Sequence, residues 1–444
     1  MGPANTCDAV VIGAGVSGLA AATNLGSAGL SVTIVEARDR IGGRILTVRD
    51  PQAGFPIELG AEFIHGRPRE IWDPITMSES GIVEVEGDAW CADRGLAPCN
   101  FFDGVLQILG GMDDRSPDMS FADFLEQYFP NKRDPDLEEL KHHALAYVSG
   151  FNAADPKLVG VHWLVKGMRE EEKIEGDRAF RCEEGYRALI EIFRSRLEAA
   201  NVSVRTKAVV DAIQWHRGSA TVSFRGDGST IRAKRVIVTI PLAVLQATDG
   251  EGAIRFNPPL SEDKLAALAR LEMGKVIRLV LRFRERFWDT ISPPSQPGRN
   301  LSDMSFLFSD DEWFPTWWTT MPAKVPVITG WAPFQCAERL SHKAESFVVE
   351  RGLASLGRLL GMDTARLEQL LANAYVHDWQ SDPFSRGAYS YGKVGAEGAQ
   401  EALARPIDNT LFFAGEATDT SGSNGTVHAA IRSGYRAARE VLSN

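Results

Sequence analysis

Three glycines, Gly13, Gly15 and Gly18, stand in the order G-x-G-x-x-G, and an acid, Glu36, follows 18 residues after the third. Residues of these types at this spacing can hold a dinucleotide. Gly13 makes a tight turn, Gly15 lets the backbone approach a pyrophosphate, and Gly18 lets a helix pack closely on a strand. The helix start turns N–H groups and the positive end of its dipole toward the phosphates. Glu36 can accept hydrogen bonds from a ribose 2′-hydroxyl, which selects FAD or NAD over NADP. A second glycine-rich stretch, "FFAGEATDTSGSNGTVHAA", starts at Phe412. Gly415, Gly422 and Gly425 permit close backbone approach and positive φ there, ahead of a helical pattern from Thr426 onward. Taken alone, this segment is either a helix start that receives an anion or a polar ring edge, or an ordinary strand–loop–helix connection.

The elements that must position these residues are short and legible. Asp8 to Ile12 reads as an apolar strand, Leu19 to Leu25 as an alanine-rich helix, and Ser31 to Val35 as a second strand after the break at Gly29. Leu411 to Phe413 is a strand before the closing glycines. At 444 residues the chain predicts two domains or two interleaved lobes. The apolar fraction of 44% is that of a soluble globular protein, and the net charge of −11 argues against nucleic acid while tolerating cationic partners. The five cysteines, Cys7, Cys91, Cys99, Cys182 and Cys336, are odd in number, scattered and without a C-x-x-C, so neither a disulfide framework nor a metal site is expected. No apolar stretch is long enough to span a bilayer, and the first strand begins within ten residues of Met1, leaving no room for a leader. A cytoplasmic protein of a reducing compartment is the expectation. Residues 76–180 read as mainly helical and 259–374 as mixed, with no internal repeat.

"EARDRIGGR" follows the second strand. Glu36, Ala37 and Arg38, with Gly42, Gly43 and Arg44, resemble the second fingerprint of the flavin-containing amine oxidase superfamily, whose glycine pair and arginine lie against the FAD pyrophosphate. The closing segment resembles that superfamily's C-terminal flavin motif. The resemblance implies that Glu416 reaches the ribityl–pyrophosphate region and that the helix start at Thr426 and Val427 meets the flavin pyrimidine edge. Ala429 departs from the glycine usual there. "VRTKAVVDAIQW" places Val210 and Ile213 at the adenine end, and "KRVIVTIP" (Lys234 to Pro241) is a strand of the nucleotide sheet.

Four stretches are candidates for the reaction site. "IELGAEFIHG" resembles the loop that passes along the flavin, with Gly60 and Ala61 at close approach; Glu62 and His65 then face the cavity, or Glu62 serves as the partner of an internal cation. The "GAEFIHG" spacing is similar to a polyamine-oxidase loop and puts His65 at the active-site histidine. "VHDWQSDPFSRGAYSYG" places Trp379 and Tyr389 as aromatics beside flavin and substrate nitrogen. Ala388 stands where covalent relatives carry a cysteine, so FAD is expected to be held non-covalently. In "MGKVIRLVLRF" the resemblance implies a lysine at Arg278, a departure that leaves oxidase and dehydrogenase both open; Lys275 is the alternative at that place. Trp317, Trp318 and Trp331 line a tunnel or, by preference, form sheet core.

The implied fold is α/β: a Rossmann-like, discontinuous FAD-binding domain (1–75, 182–258 and 375–444) with an interleaved α+β substrate-binding domain (76–181 and 259–374). The implied activity is oxidation of a C–N bond of a polyamine or other small-molecule amine to an imine, with O2 or another electron acceptor taking the electrons and H2O2 the product with O2. Glu62, His65, Arg278, Trp379 and Tyr389 are the expected catalytic residues. An L-amino-acid oxidase, with Arg67 or Arg69 gripping a carboxylate, is the second reading; a natural-product tailoring oxidase and a redox-slow flavoprotein with a binding role are the others.

Overall fold

A computed structural model describes residues 5–78, 80–92, 95–130, 134–226 and 228–443. The first three elements follow the glycine pattern. β1 (Asn5–Ile12) leads through Gly13 into α1 (Val16–Ser27), and β2 (Val32–Val35) returns parallel to β1 with Ala9 opposite Val32. α1 is longer than the alanine run because the third glycine, Gly18, already lies inside it. A Cβ at Gly18 would stand 2.0 Å from the Gly13 carbonyl oxygen, so only glycine lets the helix sit this close to the turn.

β1 is central in an eight-stranded sheet. Its Ala9, Val10 and Val11 have no exposed surface, as expected of a parallel strand covered on both faces. The parallel part also takes strands 203–205, 230–238 and 411–413; the antiparallel strands 219–224 and 210–216 extend it. This parallel, helix-covered order is Rossmann-like. A second, seven-stranded sheet runs through strands 371–378, 276–283, 327–333, 316–319, 304–308, 88–91 and 97–98.

The helix Val427–Leu442 packs along α1. Gly434 makes the contact: a Cβ there would lie 2.2 Å from the Ser17 carbonyl oxygen. The hydroxyls of Ser17 and Ser433 are 3.3 Å apart beside it. Two segments more than 400 residues apart in sequence thereby bring both glycine-lined helix starts into one region.

One expectation from the cysteines is overturned. Cys91 and Cys99 form a disulfide. The short strands 88–91 and 97–98 pair antiparallel, which sets the two Cα atoms 5.7 Å apart. Separation along the chain was no guide to separation across a hairpin. Because disulfides persist in oxidising surroundings, the cysteines no longer support a reducing compartment. Among the described residues, no helix is long and apolar enough to cross a membrane.

Candidate active site

The cofactor side is built from backbone and saturated carboxylates. Gly13 adopts φ +103° and donates its N–H to the Val35 carbonyl at 2.8 Å. Gly15 caps α1 with no side-chain bond, leaving that helix start to backbone groups. Gly43, at φ +61°, approaches Gly15 so closely that a Cβ would sit 3.0 Å from the Gly15 Cα. Glu36 is buried, one carboxylate oxygen accepting from Ala14 N at 2.8 Å and the other from Arg38 N at 2.9 Å. Ala37 lies half-buried between them. The Arg38 guanidinium turns to Asp382 and Ser385, at 2.7 and 2.9 Å, and so ties this loop to residues 382–385. Val210 sits in the core on the far face of the sheet with Ile213.

Glu416 is a hub. It is 4% exposed, and its carboxylate accepts from Arg44 at 3.0 Å, from the Ser390 hydroxyl at 2.6 Å and from Gly425 N at 3.0 Å. Arg44 also donates to the Ala388 carbonyl at 2.6 Å. Gly415, at φ +122°, and Gly425, at φ +79°, bracket the loop. Thr426 caps the following helix by accepting from Ala429 N at 3.2 Å, which leaves the N–H groups of Val427 and His428 outside that bond. The uncapped start of α1, the Gly15–Gly43 approach and the acid at Glu36 fit a flavin adenine dinucleotide.

The loop at Gly60 and Ala61 is clamped from both sides. A Cβ at Gly60 would stand 2.0 Å from the Arg44 carbonyl oxygen, and Ala61 N donates to the same carbonyl at 3.2 Å. Trp379 is buried, and its indole N–H donates to the Leu59 carbonyl at 2.8 Å. Glu62 lies between two guanidiniums. Arg181 donates to one carboxylate oxygen at 2.8 Å; Arg278 and the Trp318 indole reach the other, the latter at 3.0 Å. Burial works to raise the Glu62 pKa, and Arg278 and Arg181 outweigh it, holding the carboxyl below its ordinary range. Arg278, 2% exposed, also donates to the Gly60 carbonyl at 2.8 Å. Glu62 is thus the partner of internal cations, the second of the two roles its position allowed. Arg181 went unrecognised in the sequence because it lies 119 residues away, in the strand Ala179–Cys182.

Four other side chains share an unusual environment. His65 and Glu171 are exposed and Tyr147 and Tyr389 half-buried, and surrounding protein shifts the ionisation of all four. Burial pulls the His65 imidazolium pKa down, so the ring is neutral near pH 7. Burial pushes both tyrosine hydroxyls up, Tyr147 with further contributions from Glu171 and Tyr389. Burial alone raises the Glu171 carboxyl to about 7. Tyr389 donates its hydroxyl to the Phe151 carbonyl, and its ring lies against Gly425, where a Cβ would be 3.5 Å from the ring. His428 is within electrostatic reach of His65; burial and Arg432 lower it to about 3. Tyr147 and Glu171 were not anticipated. Their signal was faint: Glu171 is one of three consecutive acids at the end of the helix Val161–Glu172.

Several alternatives close. Lys275 pairs with Glu338 at 2.5 Å on the surface and does not replace Arg278. In strand 276–283 consecutive side chains alternate faces, so no turn-like adjustment brings it in. Trp317 is core, as preferred; Trp318 instead touches Phe63 at 5.5 Å and Trp331 at 5.6 Å on the Glu62 side. Arg67 stacks on Trp72 and Phe180 at 5.1 and 5.6 Å, and Arg69 is exposed beside Asp73. Among the described residues one group of metal-type ligands gathers, Asp118, His162 and Glu397. Hydrogen bonds account for it: the His162 ring is 2.5 Å from Glu397 and 2.8 Å from the Ser116 carbonyl, and Asp118 accepts two backbone N–H groups.

Comparison with known proteins agrees with this geometry. Residues 16–76 and 109–442 match the family described as flavin containing amine oxidoreductase. The chain belongs to that family. Its cofactor is accordingly FAD. The chain is 27% identical to polyamine oxidase 2 of Arabidopsis thaliana, over 97% of this chain and 87% of that protein. It is 28% identical to human lysine-specific histone demethylase 2, over 98% of this chain and 53% of that one. Putrescine oxidase bound to putrescine shares the fold at a TM-score of 0.79 and 20% identity, over 100% of both chains. Cyclohexylamine oxidase from Brevibacterium oxydans IH-35A does so at 0.77 and 20%, over 98% and 99%.

Proposed function

We propose that this chain is an FAD-dependent amine oxidase of the polyamine-oxidase kind, acting on a small amine rather than an amino acid. The observation that carries the reading is the commitment of every arginine the site recruits. Arg181 and Arg278 hold Glu62, Arg44 holds Glu416, and Arg67 is stacked between aromatic rings. None of these is left to grip a substrate carboxylate. The polyamine oxidases among the relatives support the same choice.

Bound FAD supplies the two-electron acceptor for hydride leaving the carbon next to nitrogen. The chain's own residues bind and orient. Tyr389, fixed by its bond to Phe151, presents a ring face to the amine. His65, whose imidazolium is disfavoured by desolvation, adds no positive charge to repel a cation. Trp379 and Arg278 hold the loop 59–62 in place by its carbonyls. Ala388 offers no thiol, in keeping with non-covalent cofactor. The eight- and seven-stranded sheets are taken as the centres of the interleaved FAD and substrate domains.

The test is anaerobic mixing of the purified yellow protein with putrescine, spermidine, a monoamine and an L-amino acid. Bleaching of the flavin band by amines is expected; bleaching by the amino acid alone overturns the reading. Arg278 favours a second reading on the acceptor, since both its terminal nitrogens are occupied by Gly60 and Glu62. Turnover in air then separates the two. Stoichiometric peroxide marks an oxidase, and reduced flavin that persists in air marks a dehydrogenase.

A further inference from the structure

The disulfide Cys91–Cys99 stands at the edge of the seven-stranded sheet. The outermost strand, 97–98, is two residues long, and Pro98 has no N–H to give. Cys99 N donates to the Ala89 carbonyl at 3.0 Å. Backbone bonding alone is a weak hold on so short an edge, and the S–S bond is its main tie. Both cysteines are half-buried, so a small thiolate reaches them from solvent. The bond also holds the start of the helix Phe101–Leu109. Asn100 caps that helix with no side-chain hydrogen bond, so its first turn depends on the covalent tie at Cys99 and on the packing of its rings.

Those rings lead into the candidate site. Phe101 stacks on Phe308 at 4.0 Å between ring centres, and Cys91 and Cys99 pack against the same cluster. Phe102 meets Phe151 at 5.8 Å and Phe306 at 6.1 Å. The Phe151 carbonyl accepts the Tyr389 hydroxyl, and Phe306 leads through Phe63, at 5.9 Å, to His65, at 6.4 Å. One helix start therefore supports the surroundings of both Tyr389 and His65, and the disulfide fixes that helix start.

We propose that Cys91–Cys99 is a thiol–disulfide exchange site whose reagent is a dithiol, and that its state sets how firmly the amine site holds its substrate. The thiolate of the dithiol attacks one sulfur, the S–S bond breaks and a mixed disulfide forms; the reagent's second thiol then displaces the cysteine. Two electrons and two protons pass to the pair, which becomes two thiols, and the reagent closes to its own disulfide. Hydrogen peroxide reverses the change: the two thiols give up two electrons and two protons, the S–S bond reforms, and the peroxide leaves as two waters. The effect on amine binding rests on the amine-oxidase reading. The exchange itself and the release of the helix start do not.

The experiment treats the folded, FAD-loaded enzyme with dithiothreitol, removes the reagent and alkylates the thiols. Peptide mass spectrometry should find label on Cys91 and Cys99 while the flavin colour is kept, and hydrogen peroxide added before alkylation should prevent the labelling. In the reduced protein the amides of residues 101–109 are expected to exchange hydrogen about tenfold faster or more. KM for putrescine should rise about threefold or more, with kcat little changed. Replacing both cysteines, Cys91→Ser with Cys99→Ser, should reproduce both effects and abolish the response to dithiothreitol; flavin content and melting temperature confirm that this variant is folded. Label that enters only after denaturant, or exchange at 101–109 that is equal in the two states, overturns the proposal. Faster exchange with an unchanged KM overturns its link to the amine site. Turnover of neither putrescine nor spermidine by the unmodified enzyme overturns the amine-oxidase reading, and the labelling and hydrogen exchange still decide whether the pair is an exchange site.

Discussion

The cofactor side and the substrate side of this site treat charge in opposite ways. Around the glycine loops, each acid is already engaged: Glu36 by two backbone N–H groups, Glu416 by Arg44, Ser390 and Gly425, Glu62 by Arg181 and Arg278. On the other side, His65 and Tyr389 stand with no charged partner among the described residues, Tyr389 held by the Phe151 carbonyl. The first arrangement fixes geometry before any ligand arrives. The second leaves electrostatic demand to be met by the ligand, which is how a site acquires selectivity rather than mere affinity.

The contrast breaks most completely at the backbone. Gly18→Ala places a methyl 2.0 Å from a carbonyl oxygen, and the expected product is insoluble or colourless protein, read by flavin absorbance after purification. Next in size, Glu62→Gln leaves two buried guanidiniums facing a neutral amide. A loss of about 3–5 kcal/mol in denaturant unfolding is expected. Replacing Glu62, Arg181 and Arg278 together by apolar residues of similar volume should cost far less, and an equal cost would show that packing, not charge, holds the cluster.

A third effect is set by pH. The folded chain refuses a proton on His428 until about pH 3, whereas the unfolded chain takes it near 6.5. Between those values the unfolded state binds more protons, so this contribution to stability is complete above about pH 6.5 and is lost as pH falls. The slope is at most about 1.4 kcal/mol per pH unit. His428→Asn should flatten the stability curve between pH 4 and 6, and an unchanged slope would assign acid sensitivity to other groups. The smallest effect is expected for Tyr389→Phe, which loses the bond to Phe151 at about 1 kcal/mol. It keeps the ring, so amine turnover should survive within a few-fold; a collapse of kcat would give the hydroxyl a direct part.

The sequence was most readable where chemistry is local. The G-x-G-x-x-G turn, the strand Leu411–Phe413 and the cap at Thr426 depend on residues a few positions apart, and their patterns state the backbone conformation directly. What stayed hidden was pairing over distance. Nothing near Glu62 announces Arg181, and nothing near Cys91 shows that a hairpin returns Cys99 to it. The tryptophan-rich stretch was half legible. Composition showed that these rings would be buried, but which face of strand 316–319 looks onto Glu62 is a matter of register alone.

Gly434 rests on the first turn of α1, and Glu416 joins Arg44 to Gly425 across the whole length of the chain. The order of synthesis therefore matters to this protein. While the ribosome is still adding the segment from Glu416 to Val441, the amino-terminal glycine turn has no partner helix, and its acids and arginine lack their hub. The glycine turn and its acid hub are therefore complete only once the segment from Glu416 to Val441 has joined them.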